Sequence, residues 1–268
     1  MEFCVNTPLI DKLYFVPKAY IKMVLEKKSR GLLLYGEAGL GKSFNVKKAL
    51  KENNLKEGQD FNMVCGHITP MSFYKKLFYN KDKLVILDDI NILQSMINLN
   101  MLKATLSEGL VEYSSSVLKD VPNQFVFTGQ IIILLNDKPK NNEHLKAVEN
   151  RILTYHLEMD YQTKMSILYD IAKIDYPEIN LQERQDIAKW IKDNTNESTK
   201  NLSIRLLFMC FEFYKFDKVN WETLASSYIQ NDEYMTLIVQ GCSEQNFKER
   251  TGLCRATYYN YKRQLGKV

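Results

Sequence analysis

The stretch that most restricts this chain runs from Gly31 to Val46, GLLLYGEAGLGKSFNV. Five largely apolar residues lead into Gly36-Glu37-Ala38-Gly39-Leu40-Gly41-Lys42-Ser43, and residues with helical apolar spacing follow. The pattern G-x-x-x-x-G-K-S/T between a strand and a helix makes a loop whose backbone N–H groups point inward, because glycine curls that tightly at no steric cost. Inward amides and the positive end of the following helix together attract phosphate oxygens. Lys42 is then placed to reach the β- and γ-phosphates of a nucleoside triphosphate, and Ser43 to ligate Mg²⁺.

The chain around this loop can bury a sizeable core, with 268 residues of which 45% are hydrophobic. Its first two-thirds alternates short β-rich apolar runs with helix-like stretches, which predicts an α/β fold with a parallel sheet wrapped by helices. Strands are expected at Gly31 to Tyr35, Phe61 to Cys65, Leu84 to Leu87, Ile131 to Leu135 and Tyr155 to Leu157. Helices are expected at Lys42 to Asn53, Met71 to Tyr79 and Asn98 to Ser107, where apolar residues recur every three or four positions. Beyond about Asp160 the strand signals stop, and four helices follow at Gln162 to Ile174, Leu181 to Asn194, Leu202 to Phe216 and Trp221 to Gln230. The expected division is a P-loop subdomain over 1–160, a helical subdomain over 161–231 and a terminal module over 232–268.

Leu84-Val85-Ile86-Leu87-Asp88-Asp89 ends a buried run in two carboxylates. Ligands of open α/β sheets bind at that end of the strands, so Asp88 suits the Mg²⁺ shell and Asp89 the polarisation of an attacking water. A strand ending in a solvated acidic turn would read the same way. Two adjacent acids after a central strand favour hydrolysis over transfer to a small molecule.

With these two motifs the chain resembles the AAA+ ATPases, G-E-A-G-L-G-K-S standing as Walker A and L-V-I-L-D-D as Walker B. The resemblance covers roughly residues 20 to 215 and is strongest at the motifs. It implies a five-stranded sheet with the Ile131 strand between the two Walker strands, a helical lid, and a homo-oligomeric ring or spiral with ATP at the subunit interfaces. The family usually carries Asp-Glu where this chain has Asp88-Asp89, so the second carboxylate here is one methylene shorter.

The resemblance also implies three further site residues. Asn136, ending the apolar run Ile131 to Leu135, matches sensor 1, where a neutral amide orients water without competing for Mg²⁺; the segment Asn136-Asp137-Lys138-Pro139 also suits a plain turn. Arg151 is the sole arginine between Arg30 and Arg184 and closes the helix-like stretch His144 to Asn150, where the family places its arginine finger; a surface salt bridge is the competing account. Arg205, opening the third lid helix, matches sensor 2, which touches the γ-phosphate from the lid, although an exposed arginine on an amphipathic helix fits the same pattern. His67 falls in a loop after the second strand, and His144 and His156 show no metal-ligand spacing.

The net charge of +4 is carried entirely by Ser243 to Val268, with six basic residues against two acidic. This stretch reads as a helix-turn-helix with Gly252 at the turn, and a helix around Asp232 to Gln240 completes a three-helix unit. Phe247, Leu253, Ala256, Tyr259 and Leu265 are its expected core, leaving Arg255, Thr257, Tyr258, Tyr261 and Lys262 to face DNA. A helical hairpin that packs on the lid or docks a partner protein is the alternative.

Five cysteines without a C-x-x-C pair argue against a disulfide framework or a zinc site. The longest apolar runs fall far short of the roughly 20 residues that span a bilayer. Met1 to Asp11 lacks the basic start and apolar stretch of a signal peptide. A cytoplasmic protein with no membrane contact is expected. The combined reading is an ATP- and Mg²⁺-dependent AAA+ protein that assembles on DNA, as a replication initiator or helicase loader of a phage or mobile element, with a replicative helicase as partner. A transposition ATPase serving a transposase and a nucleotide-gated transcription regulator are the alternatives.

Overall fold

The computed structural model describes residues 8–90, 92, 95–115, 119–137 and 143–266, of which 143–145 as backbone. Two compact units emerge. One is Asp11–Glu158, and the other is Met159–Val268 together with the described residues before Asp11.

The first unit is built on five parallel strands in the order β2-β3-β6-β1-β7. They are β1 (Gly31–Gly36), β2 (Phe61–Cys65), β3 (Leu84–Asp88), β6 (Gln130–Leu135) and β7 (Leu153–Leu157). The Ile131 strand therefore lies between the strands that bear the two motifs, as the resemblance implied. Each strand end falls within two residues of the sequence expectation. Near-continuous apolar runs make this possible, since a strand covered on both faces needs no alternation.

Side chains of successive strand residues point to opposite faces. Leu33, Tyr35, Val85, Leu87, Ile131 and Ile133 share one core with Phe73, Tyr74 and Leu77 of α4 (Pro70–Tyr79), Leu99, Leu102 and Leu106 of α5 (Met96–Leu106), and Val148 of α6 (Glu143–Glu149). The opposite face carries the fully buried Leu32, Leu34, Ile86, Ile132 and Leu134. Helix α2 (Phe15–Leu25) packs on that side against β1, β6 and β7, and against α3 (Lys42–Glu52). Each fully buried leucine or isoleucine contributes about 1.5–3 kcal/mol.

Four elements were not foreseen. Helices α1 (Pro8–Leu13) and α2 bury Ile10, Tyr14, Ile21 and Val24 at helical spacing. Pro17 stands in the first turn of α2, where no N–H partner is needed. A short antiparallel pair, β4 (Leu110–Glu112) with β5 (Gln124–Val126), is inserted between α5 and β6, with Val111 and Phe125 turned into the core.

The second unit is helical among its described residues. Helices α7 (Tyr161–Ala172), α8 (Leu181–Asn194), α9 (Ile204–Phe216) and α10 (Trp221–Tyr228) match the expected four. Helix α8 begins with a capping box, Asn180 accepting from the Glu183 amide while the Glu183 carboxylate accepts from the Asn180 amide. The chain ends in α11 (Glu233–Val239), α12 (Glu244–Thr251) and α13 (Arg255–Gln264). Gly252 closes α12 in the left-handed conformation, at the turn anticipated for it. The expected turn over Asn136 to Pro139 passes out of the described residues after Asp137, and the side chain of His144 also lies outside them.

Candidate functional site

The loop between β1 and α3 is shaped by its own backbone. Gly36 has φ +151°, and a Cβ there would lie 2.1 Å from the Leu157 carbonyl oxygen of the neighbouring β7. Gly41 takes the left-handed conformation as N-cap of α3, leaving the first amides of the helix directed into the loop. Between them Leu40 is buried, and the Tyr14 hydroxyl donates to its carbonyl at 2.6 Å. Tyr14, from the unforeseen N-terminal helical segment, thus pins the middle of the phosphate loop. Burial pushes its phenol well above the usual range, so it stays a donor.

Lys42, in the first turn of α3, is 5% exposed. Its ammonium donates to the carbonyls of Gly36 at 2.7 Å and Glu37 at 2.8 Å and to Asn136 Oδ1 at 3.2 Å. A buried ammonium with three oxygen partners has its three protons satisfied. The next residue, Ser43, donates to Asp88 Oδ1 at 2.9 Å. Lys42, Ser43, Asp88 and Asn136 thus meet at the carboxyl edge of β1, β3 and β6, although 94 positions separate the first from the last.

Asp89 follows with φ +54°, unusual for a residue with a side chain, while its amide donates to Leu134 O at 3.0 Å. Such a backbone costs on the order of 1–3 kcal/mol and collects at functional sites. It turns Asp89 out of the strand line, and its side chain is exposed beside Asp88. Cys65 pairs in register with Asp88. Burial first, and then the Asp88 carboxylate, push its thiol up, so Cys65 is not an activated nucleophile. His67 is exposed in the loop after β2. On the other side of β1, Tyr35 stacks on His156 of β7, with centroids 4.6 Å apart.

Two hard oxygens, from Ser43 and Asp88, suit a Mg²⁺ that keeps waters and shares phosphate oxygens rather than sitting in a protein cage. No cluster of three or more His, Cys, Asp or Glu able to hold a metal occurs among the described residues. The helix N-terminus beyond Gly41 fits the phosphates themselves. Arg151 is exposed, with Nε donating to Ser107 Oγ at 2.7 Å and a terminal nitrogen donating to Ala147 O. Arg205 is exposed in the first turn of α9, in the other unit.

The terminal module corrects the sequence reading at its last helix. Its core is Ile238, Phe247 and Tyr258, with Leu253, Tyr259, Tyr261 and Leu265 packed against it. Tyr258, expected to face DNA, is buried, and its hydroxyl donates to Cys242 O at 3.0 Å. Tyr261, also expected outside, lies against Phe247 and Tyr234. Ala256, expected in the core, is exposed. The large amphipathic rings remove more apolar area from water than a methyl group can, so packing turns the tyrosine side inward. Arg255 keeps its outward position, paired with Glu244 at 3.4 Å and lying over Tyr259. Thr257 is half-buried against Cys254, and Lys262 lies over the Tyr258 ring. Helix α11 is tied to the preceding loops by Lys200–Asp232 at 3.3 Å and by Thr236 donating to Ser198.

No family model matches the sequence. A 36.7 kDa uncharacterized protein encoded between nrdC and mobD in Enterobacteria phage T4 is 26% identical over 243 residues, covering 82% of this chain and 74% of that protein. Among solved structures, a Thermotoga maritima RuvB mutant covers 98% of this chain and 89% of its own, with a TM-score of 0.55 at 12% identity. The Thermotoga maritima RuvB Holliday junction branch migration motor is similar at a TM-score of 0.53 and 13% identity over 96% of this chain and 87% of its own. Cdc6p from Pyrobaculum aerophilum is similar at 0.52 and 12% over 97% and 86%. With its β2-β3-β6-β1-β7 sheet, its phosphate loop and its helical C-terminal region, the chain has the AAA+ P-loop fold.

Proposed function

We propose that this protein hydrolyses ATP with Mg²⁺ at the β1–α3 loop and assembles as a homo-oligomer on DNA, as a replication initiator or helicase loader of a phage or other mobile element. The observation that carries the reading is the meeting of Lys42, Ser43, Asp88 and Asn136 at one sheet edge. Bound there, Mg-ATP supplies an electrophilic γ-phosphoryl group. The amides from Gly36 to Ser43 hold its phosphates, and Lys42 exchanges the Gly36 and Glu37 carbonyls for phosphate oxygens. Ser43 and Asp88 hold the cation. Asp89 would take a proton from the attacking water that Asn136 orients, the water oxygen bonding to the γ-phosphorus as its bond to the β–γ bridging oxygen breaks, so that ADP and phosphate leave. Arg151 completes the site of a neighbouring subunit, and Arg205 carries the nucleotide state to the helical lid.

The phage T4 relative supports a role in a mobile genome, and the resemblance to RuvB supports work on DNA. The basic terminal helices supply the contact with DNA, and repetition around an oligomer adds avidity. No helix among the described residues is long and apolar enough to cross a membrane.

The test is phosphate release and assembly mass for the wild type and Lys42→Ala, each with and without duplex DNA and a replicative helicase. The expected result is turnover that rises with DNA and assembly and is absent in Lys42→Ala. A monomer whose turnover ignores DNA overturns the motor reading, and turnover surviving in Lys42→Ala overturns the site.

A further inference from the structure

We propose that α13 reads the major groove of duplex DNA through a stripe made by Ala256, Asn260 and Arg263, with Asn260 and Arg263 contacting base edges. The inference rests on the DNA-binding reading above and goes beyond it by naming the residues that would set sequence preference. It starts from the rotational setting of the helix. Tyr258, Tyr261 and Leu265 face the module core, at helical spacing of three and four. At about 100° per residue, Ala256, Asn260 and Arg263 fall on the opposite side. All three are exposed.

That stripe carries polar groups suited to base edges. Neither Asn260 nor Arg263 makes a side-chain hydrogen bond or ion pair among the described residues, so their donors and acceptors are free. Asparagine can bond adenine through both its amide groups, and arginine can bond guanine at O6 and N7. Ala256 adds no bulk at the start of the helix, which lets the backbone approach the groove floor. Arg255 and Lys262, seven positions apart, share one side of the helix, each lying over a tyrosine ring, Tyr259 and Tyr258 respectively. Cations held along one side of a reading helix suit the phosphates along one wall of the groove.

Charge points to a polyanion as the occupant. The segment from Ser243 onward holds six basic and two acidic residues. Both acids are engaged within the module, Glu244 with Arg255 and Glu249 accepting from Gln245. The order α12, left-handed Gly252, α13 is that of a helix-turn-helix, whose second helix enters the major groove.

The experiment selects duplexes from a library with a randomised centre on the full-length wild type. Affinities for the selected duplex and a shuffled one are then measured for Asn260→Ala, Arg263→Ala and Lys262→Ala, with circular dichroism as the check on folding. Asn260→Ala and Arg263→Ala should each lose about tenfold on the selected duplex, be nearly unchanged on the shuffled one, and relax one base position in a repeated selection. Lys262→Ala should weaken both duplexes alike. If the wild type selects a sequence but the Asn260 and Arg263 variants keep its discrimination, the stripe is not the reader and DNA binding stands. If the wild type binds duplexes without preference, the base-reading assignment falls while DNA binding again stands. If it binds no duplex, and retains a protein or an RNA instead, both readings fall.

Discussion

Ser43 Oγ donates to Asp88 Oδ1 across 2.9 Å and so joins the first turn of α3 to the carboxyl end of β3. An amide at position 88 could still accept that bond but could not balance a divalent cation. Asp88→Asn should therefore fold normally, with stability within about 1 kcal/mol of wild type, and lose about 10² or more in Mg²⁺-dependent turnover. Thermal unfolding and phosphate release on one preparation check both halves.

Arg151 hangs between Ser107 and Ala147 on the outside of its unit, where an adjoining subunit could meet it. Arg151→Ala should bind nucleotide as wild type does and turn over about 10³-fold more slowly. Mixing it with Lys42→Ala should restore part of the activity, since a mixed interface joins an intact phosphate loop to an intact arginine. Two inactive proteins that stay inactive when mixed would refute action in trans.

Gly36→Ala puts a methyl group 2.1 Å from the Leu157 carbonyl oxygen at a φ of +151°. Either the loop or β7 must shift. We expect about 2–4 kcal/mol of destabilisation in urea unfolding, with nucleotide binding lost before the fold is.

Tyr14→Phe leaves the buried Leu40 carbonyl without its donor. Stability should fall by about 1–2 kcal/mol, and nucleotide affinity should drop because Leu40 sits mid-loop. Titration with a fluorescent ATP analogue reads the second effect. Unchanged affinity would show that the loop needs no clamp from the N-terminal segment.

Glu183 predicts an acid limb of stability. The Asn180 amide first, then the Tyr214 hydroxyl and the Lys218 ammonium, hold its carboxyl down at about 2 from an ordinary 4.5. Because the folded state favours the ionised form, this contribution is complete above the ordinary value and fades as pH falls towards 2. Glu183→Gln should flatten the melting temperature across that window and change it little with pH above it. A variant whose acid limb matches the wild type would remove Glu183 as the cause.

What the sequence alone determined is what neighbouring residues control. The strand-loop-helix from Gly31 to Glu52 is legible because glycine spacing and a buried apolar run act within a few residues. Helix α8 runs over its expected bounds, and the capping box that starts it is a local device. The sheet order could be expected only through resemblance, since pairing β3 with β6 joins residues some 45 positions apart. The β4–β5 pair, with strands of three residues, exists because Val111 and Phe125 find a distant core, and no local signal announces it. The clamp of Tyr14 on Leu40 is equally non-local. The setting of α13 shows the limit most directly. Its tyrosines offer more than one aromatic face, and only packing against Ile238 and Phe247 turned Tyr258 inward and left Ala256, Asn260 and Arg263 facing water. Local preference chooses an element, while its rotation and partners depend on which distant apolar surface removes the most area from water.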